Sequence, residues 1–339
     1  MRIHESDLSL ISEHLEKDIS YFRNKKIFIT GGTGFFGKWL LETFKFLNEN
    51  NSLNVSLTIL TRSPEKFERK YPHLFCYERF RFFQGDVRDF EDLEEDFDII
   101  IHAATDASAE LNRSEPDLMR STIMEGTRRV CDFAERTGCK RILYTSSGAA
   151  YGPQPDDIAS MPETFLDNPL FNHSDAYASA KLESETYFKE NASCEVVIAR
   201  CFAFSGPYLP LDGSYAFGNF ILNALNEKNI LINGDGTAVR SYLYAADLVI
   251  WLLRMLSSGR NKEIYNVGSP ESINIFELAY LINNLRDNSA EVKVLGKASS
   301  NKNQYVPDVS KAESELNLKV YTSLKSAINK TLEFYSVGY

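Results

Sequence analysis

A tyrosine and a lysine four residues apart give this chain a pair of groups that can move protons. Tyr177 and Lys181 stand in the segment Y-A-S-A-K, within a pattern that predicts a helix over 175–190. Residues at positions i and i+4 lie on one helical face, one turn apart. A free phenol has a pKa of about 10, and a neighbouring ammonium favours the phenolate and lowers that pKa. With a serine hydroxyl from the upstream strand that ends in Ser147, the pair can move a proton on or off a carbinol while a hydride leaves or arrives.

A glycine-rich turn near the N-terminus predicts a dinucleotide site. Apolar β-formers over 25–30 predict a short buried strand, and the turn Gly31-Gly32-Thr33-Gly34-Phe35-Phe36-Gly37 follows at once, before a helical apolar pattern. Glycines let the backbone approach a pyrophosphate closely, and the N-terminus of the helix faces the anion. We therefore expect the cofactor to contact six residues of this turn: Gly31, Thr33, Gly34, Phe35, Phe36 and Gly37.

Together these segments resemble the extended short-chain dehydrogenase/reductase family, in its nucleotide-sugar epimerase/dehydratase branch. The glycine spacing is G-x-x-G-x-x-G, as in that branch, and further matches follow in order along residues 25–335. They are D-V-R-D at 86–89, I-I-I-H-A-A at 99–104, S-S-G-A-A-Y-G at 146–152, S-G-P-Y at 205–208, G-D-G-T-A-V-R-S-Y at 234–242 and Y-V-P-D at 305–308. The resemblance implies an α/β fold, a Rossmann-type doubly wound parallel sheet with a smaller mixed α/β substrate-binding lobe. It also implies an NAD- or NADP-dependent enzyme, a nucleotide-diphosphate sugar as substrate, and a homodimer.

The resemblance assigns the site residue by residue. It implies that Ser147 hydrogen-bonds the reacting sugar oxygen, that Tyr177 is the acid/base, and that Lys181 lowers the pKa of the tyrosine and binds the nicotinamide ribose. Ser146, in contrast, is expected to cap the strand end. Beyond the glycine turn, the implied cofactor contacts are Arg62, Asp86, Val87, Ala103, Ala104 and Lys181. The implied substrate contacts are Ser147, Asn219 and Arg240.

Two small residues directly after Ser147 depart from the family pattern. The 4,6-dehydratases resembled here carry an Asp-Glu pair at the positions of Gly148 and Ala149, and UDP-glucuronate decarboxylases tend to carry a Glu at the position of Ala149. Because glycine and alanine do no proton chemistry, the sequence disfavours a dehydratase or a decarboxylase. The predicted function is a nucleotide-sugar epimerase that acts at C4 through a transient keto-sugar, with the hydride held on the cofactor. An NADP-dependent keto-sugar reductase and a non-catalytic dinucleotide-sensing protein remain as alternatives.

The end of the second predicted strand bears on the choice of cofactor. NAD-preferring members usually carry an acidic residue there, whereas this chain has Thr61-Arg62-Ser63. Arg62 can bind a 2′-phosphate or stack on adenine, which tilts the prediction slightly to NADP. A cofactor recycled in place is more usually NAD, so both stay open. A further departure is Ala203, where many relatives carry an Asn that contacts the sugar, while Arg240 suits a diphosphate because its guanidinium is a permanently charged fork.

Strand and helix patterns alternate to about residue 200. Strands are predicted near 26–30, 55–60, 80–84, 98–102, 141–146 and 195–200, with helices between them that include 113–137 and 175–190. That alternation indicates a doubly wound parallel sheet. We expect an N-terminal helical extension over 1–24, the dinucleotide-binding domain over 25–202, and mainly the substrate-binding lobe over 203–339, with segments that cross back to the sheet. A helical stripe in the extension predicts packing on the body of the fold, in preference to a contact between subunits; it comprises Leu8, Ile11, Leu15, Ile19 and Phe22.

Composition excludes several classes of protein. The chain has 339 residues, 43% of them hydrophobic, which is enough for a large core. A net charge of −10 without a long basic run argues against nucleic-acid binding. No apolar run approaches membrane-spanning length and the N-terminus does not resemble a signal peptide, so we expect a cytoplasmic protein without a membrane partner. Five cysteines without a C-x-x-C motif predict buried free thiols, and five histidines that do not pair at ligand spacing predict no metal site.

Overall fold

The computed structural model describes residues 2–105, 109–165, 168–211, 215–286, 290–297 and 303–336. Its strands are β1 (Lys26–Thr30), β2 (Ser56–Thr61), β3 (Phe80–Gln84), β4 (Ile99–His102), β5 (Arg141–Ser147), β6 (Glu195–Cys201), β7 (Phe204–Ser205), β8 (Ile230–Ile232), β9 (Val239–Ser241), β10 (Leu243–Tyr244), β11 (Ile264–Val267), β12 (Ser272–Asn274), β13 (Val292–Val294) and β14 (Gln304–Tyr305). Its helices are α1 (Glu5–His14), α2 (Ile19–Phe22), α3 (Phe35–Asn51), α4 (Pro64–Lys70), α5 (Pro72–Phe75), α6 (Ala109–Ser114), α7 (Pro116–Arg136), α8 (Ala176–Asn191), α9 (Ala216–Leu225), α10 (Ala245–Ser258), α11 (Ile275–Asn284), α12 (Ser310–Leu316) and α13 (Leu324–Ser336). A 3₁₀ turn covers Gly148–Tyr151.

A seven-stranded parallel sheet in the order β11-β6-β5-β4-β1-β2-β3 forms the centre of the molecule. The strands β1, β2, β4, β5 and β6 are buried almost throughout because helices cover both faces of the sheet. In β1, Ile27 and Ile29 join the core under α3 and α10, while Phe28 points into the opposite core with Phe133 of α7 and Phe188 of α8. The predicted doubly wound fold is confirmed.

The six strands predicted from the sequence match β1 to β6, and their boundaries agree to within one residue. The seventh strand of the sheet, β11, was not predicted. β11 pairs with β6 along the edge of the sheet, with Tyr265 opposite Ala199 and Val267 opposite Cys201. The helix predicted over 113–137 also differs, because it starts at Pro116, after the separate short helix α6. Proline favours the first turn of a helix and disfavours the helical conformation of the residue before it, which explains the break.

The N-terminal segment packs on the body of the fold. Its five stripe residues are all buried in the same core as α3 and α10, although the stripe is divided between α1 and α2. The Asp7 carboxylate accepts a hydrogen bond from the Tyr244 hydroxyl at 2.8 Å and pairs with Lys330 at 2.7 Å. The residues of this extension are therefore tied to distant parts of the same chain.

The later part of the chain forms a second apolar cluster beside the sheet. Helices α9, α11 and α13 supply much of it, together with the small sheets β12-β9-β14 and β13-β8. Segment β11 and helix α10 return to the central sheet, as the sequence predicted for crossing segments. The proposed boundaries at 24/25 and 202/203 stay predictions.

The cysteines are free, but they are not all buried as predicted. Cys131, Cys139 and Cys201 are buried, whereas Cys194 is half-buried and Cys76 is exposed. Cys76 directly follows the short helix α5, in a surface connection to β3, which accounts for its exposure. Within the described ranges, no helix has the length and apolar character needed to cross a membrane.

Candidate active site

The carboxyl ends of the central strands open onto a cleft of about 1380 Å³. Nearly all the residues predicted for the site line it: Gly31, Thr33, Gly34, Phe35, Phe36, Arg62, Asp86, Val87, Ala103, Ala104, Ser147, Tyr177, Lys181 and Arg240. Two predicted contacts lie elsewhere among the described residues. Gly37 is buried behind the glycine turn, and Asn219 lies on α9 outside the cleft lining.

Close backbone packing explains the glycines of the turn. Gly31 has a φ of +73°, and a Cβ there would lie 2.4 Å from the Ala103 carbonyl oxygen. A Cβ on Gly37 would lie 2.3 Å from the Cα of Gly32. Gly37 therefore lets α3 pack against the turn and does not itself face the cleft, which corrects its predicted role as a cofactor contact.

The arrangement fits a nicotinamide dinucleotide. Gly31 and Gly34 present backbone without a side chain to the cleft, and the turn leads directly into the N-terminus of α3, whose free N–H groups favour an anion. On the neighbouring strand, the Thr30 hydroxyl accepts a hydrogen bond from the Ala104 N–H at 3.1 Å and so fixes the end of β4. These residues would hold the pyrophosphate along the strand ends, with Lys181 and Tyr177 farther along the cleft.

A carboxylate and an arginine face the cleft beyond β3. The Asp86 carboxylate accepts hydrogen bonds from the Arg88 side chain at 2.8 and 3.1 Å and from the Arg88 backbone N–H at 3.0 Å. These hydrogen bonds lower the pKa of Asp86. The Asp86 carboxylate is therefore already engaged within its own turn.

Four cationic side chains line the cleft near the ends of β2 and α4: Lys38, Arg62, Lys66 and Lys70. In the described part of the chain, none of them has a carboxylate oxygen within ion-pairing distance. The Lys38 ammonium lies 5.0 Å from the ring centroids of both Tyr71 and Tyr208. Burial, with a contribution from Lys70, lowers the pKa of Lys38 to about 8. An anion bound here would meet several positive charges that the protein leaves unpaired.

Helix α8 brings the predicted acid/base pair into the cleft. The Lys181 ammonium is buried and donates hydrogen bonds to the Thr145 carbonyl at 2.8 Å and to the Thr105 hydroxyl at 2.9 Å. Its Nζ lies 5.9 Å from the centroid of the Tyr177 ring. Lys181 is thus anchored to the strand ends, with Tyr177 beside it.

Burial controls the protonation of both groups. It lowers the pKa of Lys181 to about 8, and it raises the pKa of Tyr177, an effect that a hydrogen bond with Ser147 partly offsets. The expected lowering of the tyrosine pKa by Lys181 is therefore not seen in this arrangement, because desolvation is the larger effect.

Of the two serines at the end of β5, Ser147 faces the cleft as expected, whereas Ser146 does not have the capping role expected of it. The Ser147 hydroxyl lines the cleft, but it also caps the 3₁₀ turn by accepting a hydrogen bond from the Ala149 N–H at 3.1 Å. Ser146 does not cap the strand. Its hydroxyl donates to the Glu185 carboxylate at 2.5 Å, one turn after Lys181 on α8. Ser146 therefore connects the end of β5 to α8.

Two residues that sequence reasoning missed, Asp175 and Asn112, position the start of α8. Asp175 caps the start of α8 by accepting a hydrogen bond from the Ala178 N–H at 2.9 Å. Asn112 bridges Asp175 and the Tyr177 N–H, at 3.1 and 3.0 Å. Asp175 precedes a predicted helix and could have been recognised as a cap. Asn112 could not, because it is 65 residues from Tyr177 in the sequence.

Arg240 faces the far part of the cleft from β9. Its guanidinium donates to the carbonyls of Val239 at 2.8 Å and Asn303 at 3.0 Å, and to the Asn303 side-chain oxygen at 2.9 Å. These acceptors hold the side chain in place without neutralising it. Tyr305, on the neighbouring strand β14, was noted in the sequence only as part of a family segment, yet its hydroxyl reaches the end of β5.

Comparison with known proteins places this cleft in a family. Residues 27–268 match the family described as the NAD dependent epimerase/dehydratase family. The chain belongs to this family. It is therefore an enzyme of the extended short-chain dehydrogenase/reductase type, and that part of the sequence prediction is confirmed.

Known relatives of this family member include decarboxylases. The chain is 30% identical over 310 residues to UDP-glucuronic acid decarboxylase 3 of Arabidopsis thaliana, an alignment that covers 90% of this chain and 87% of that protein. The prediction of an epimerase, with decarboxylation disfavoured, is wrong in the light of this similarity. The physical error was to treat the missing carboxylates at Gly148 and Ala149 as decisive, since loss of carbon dioxide from a β-keto acid requires no base.

Solved structures share the fold of this family member. UDP-N-acetylglucosamine 4-epimerase from Methanobrevibacter ruminantium M1 superimposes with a TM-score of 0.81 at 22% identity, over 94% of this chain and all of that one. The enzyme WbmF of Bordetella bronchiseptica, in complex with NAD+, gives a TM-score of 0.74 at 19% identity, over 94% of each chain. At these identities the likeness concerns the fold.

Proposed function

We propose that this chain is a nucleotide-sugar decarboxylase that oxidises a nucleotide-linked uronic acid, such as UDP-glucuronate, at C4 and then releases the C6 carboxylate as carbon dioxide. The observation that carries the proposal is the convergence of Ser147, Tyr177 and buried Lys181 in one cleft. The similarity to UDP-glucuronic acid decarboxylases supports this choice of substrate.

The first step is oxidation of the C4 carbinol. Ser147 hydrogen-bonds the C4 hydroxyl, and Tyr177 removes its proton as C4 becomes a ketone. Lys181 would hold the nicotinamide ribose, and it supplies positive charge beside the tyrosine. A nicotinamide bound here would supply the acceptor for the C4 hydride and the donor for the final reduction, and its positive charge would lower the pKa of Tyr177.

The second step needs little from the protein. A ketone at C4 is β to the C6 carboxylate, so the electron pair of the C5–C6 bond can pass into the C4–C5 bond and onto the ketone oxygen while carbon dioxide leaves. The enolate then takes a proton from solvent water at C5, and Tyr177 returns its proton to the C4 oxygen when the ketone is reduced. The sum is loss of one carbon dioxide and uptake of one proton, with no net oxidation. Gly148 and Ala149 are compatible with this sequence because no side chain must remove a proton from C5.

Arg240 is proposed to bind the diphosphate of the substrate. Its guanidinium lies in the cleft and is oriented by the three oxygen acceptors on Val239 and Asn303. A permanently charged, planar donor matches the geometry of a phosphate group. The distance along the cleft from Arg240 to Tyr177 would be spanned by the sugar.

The adenosine end of the cofactor site favours NADP in our proposal. Arg62 follows β2 where a carboxylate would otherwise receive the ribose hydroxyls, and Lys38, Lys66 and Lys70 line the same region. A 2′-phosphate would offset this unpaired positive charge, whereas NAD would leave it uncompensated.

Product analysis tests the proposed reaction. Purified protein is incubated with UDP-glucuronate, UDP-galacturonate and UDP-glucose, each with NAD or NADP, and the nucleotide sugars are resolved by mass spectrometry. We expect a product that is lighter by one carbon dioxide from a uronate and none from UDP-glucose. A product isomer of unchanged mass, without loss of carbon dioxide from either uronate, would contradict the proposal.

A further inference from the structure

We infer that Tyr305 is a further catalytic residue, whose hydroxyl donates a hydrogen bond to the same substrate oxygen that Ser147 binds. The inference rests on the proposed function for the identity of the substrate, but it concerns a group that the reaction sequence above does not use.

The position of Tyr305 is fixed from three sides. Strand β14 pairs with β9, so that Tyr305 lies opposite Arg240. Its ring packs against Phe202, with 4.6 Å between ring centroids. Its hydroxyl lies 3.5 Å from the Ser147 hydroxyl and 3.4 Å from the Cys201 carbonyl oxygen. The phenol is thus held at the junction of the diphosphate-binding and catalytic parts of the cleft.

Gly148 leaves the space that this phenol occupies. A Cβ on Gly148 would lie 2.7 Å from the Tyr305 hydroxyl oxygen and 2.8 Å from the ring of Phe202. Glycine at this position therefore allows Tyr305 to approach Ser147. The Tyr305 hydroxyl also provides a hydrogen-bonding group in a part of the cleft where the side chains of Gly148 and Ala149 provide none.

The spacing of the two hydroxyls suits a shared acceptor. Hydrogen bonds between oxygens are about 2.7–2.8 Å long, so one substrate oxygen can lie within reach of two hydroxyls that are 3.5 Å apart. Burial raises the pKa of Tyr305, which keeps the phenol protonated at neutral pH and able to donate.

The role follows from where charge develops. When the C5–C6 bond breaks, its electron pair passes toward the C4 oxygen, and donors aimed at that oxygen stabilise the transition state more than the ground state. Tyr305 keeps its own proton, turning its O–H from the Cys201 carbonyl to the substrate oxygen. Its contribution is electrostatic, and no bond to Tyr305 forms or breaks.

The test is the variant Tyr305→Phe, which retains the ring against Phe202 and removes only the hydroxyl. We expect kcat for release of carbon dioxide from UDP-glucuronate to fall on the order of a hundredfold, as for loss of one oxyanion donor. The KM for UDP-glucuronate and the Kd for UDP should change by less than about threefold, because the lost interaction is made in the transition state. The matched control is Tyr265→Phe, which removes a buried hydroxyl that donates to Glu315 at 3.0 Å, away from the cleft. That variant should retain wild-type kcat.

Two results would overturn the inference. One is a Tyr305→Phe enzyme with wild-type kcat. The other is an equal loss of kcat in Tyr305→Phe and Tyr265→Phe, with a lowered melting temperature in both variants. That result would show that the loss comes from a general structural effect. If the wild-type protein instead converts another nucleotide sugar without releasing carbon dioxide, the proposed function fails, and the same variants are compared on that conversion by stopped-flow absorbance of the reduced nicotinamide. Tyr305 keeps its assigned role only if that step also slows in Tyr305→Phe alone.

Discussion

Glu185, which lies one helical turn after Lys181 on α8, forms a buried ion pair with Arg200 of β6. The Arg200 guanidinium donates to the Glu185 carboxylate at 2.6 and 2.9 Å, and both side chains are less than 5% exposed. The same carboxylate accepts from Ser146, at the end of the strand that carries Ser147. This cluster ties α8 to β5 and β6, and thereby sets the distance between Tyr177 on α8 and the strand ends.

Removal of the Glu185 charge should destabilise the protein strongly. Glu185→Gln leaves Arg200 buried without its counter-charge, which costs about 3–5 kcal/mol of unfolding free energy. The measurement is chemical denaturation monitored by circular dichroism. The matched control is Glu183→Gln on the same helix, whose pair with Arg120 is about half exposed and should contribute at most about 1 kcal/mol. An equal decrease in the free energy of unfolding of the two variants would contradict the structural role assigned to Glu185.

The sequence predicted much of the scaffold because local patterns encode it. The apolar strands, the glycine turn before α3 and the Tyr177–Lys181 spacing are each readable within a few neighbouring residues. The seventh strand was missed because β11 is short and its apolar pattern is interrupted by Asn266, whose amide donates to the carbonyls of Met161 and Asp308.

The parts of the site that the sequence did not reveal depend on contacts between distant segments. Tyr305 is 158 residues from Ser147 in the sequence, and no local sequence pattern predicts that their side chains lie close together. The burial that raises the pKa of Tyr177 likewise comes from contacts with other elements. Gly148 could be recognised as a departure from the family, but its reason, the nearby Tyr305 hydroxyl, is a tertiary contact.

Activity should fall as the pH rises through about 8. Burial lowers the pKa of Lys181 to about 8, so the ammonium is charged below that pH and loses its proton above it. Loss of the positive charge weakens its support for the Tyr177 phenolate. In the variant Lys181→Arg the guanidinium stays charged, so kcat should be lower but should lack the decline near pH 8. The check is the pH profile of kcat for both enzymes, and an identical alkaline decline in the two would show that another group causes it.

Arg62 should discriminate between the two cofactors. We expect the Kd for NADP to be lower than that for NAD, and the variant Arg62→Ala to weaken NADP binding on the order of tenfold while changing the Kd for NAD little, because only NADP carries the 2′-phosphate. Isothermal titration calorimetry with each cofactor measures both constants without turnover. Arg69→Ala is the control, since this exposed residue follows on the same segment outside the cleft lining. If wild-type protein binds NAD more tightly and Arg62→Ala weakens both cofactors alike, the assignment of NADP is incorrect.

Release of carbon dioxide from UDP-glucuronate isotopically labelled at C6 tests the central claim most directly. The wild-type enzyme should release labelled carbon dioxide in step with formation of a UDP-pentose, while Tyr177→Phe should do so on the order of a hundredfold or more slowly, since it lacks the general base. Binding of UDP should be similar in the two proteins. Retention of the C6 label in the nucleotide sugar by the wild-type enzyme, or equal rates in the two proteins, would contradict the account.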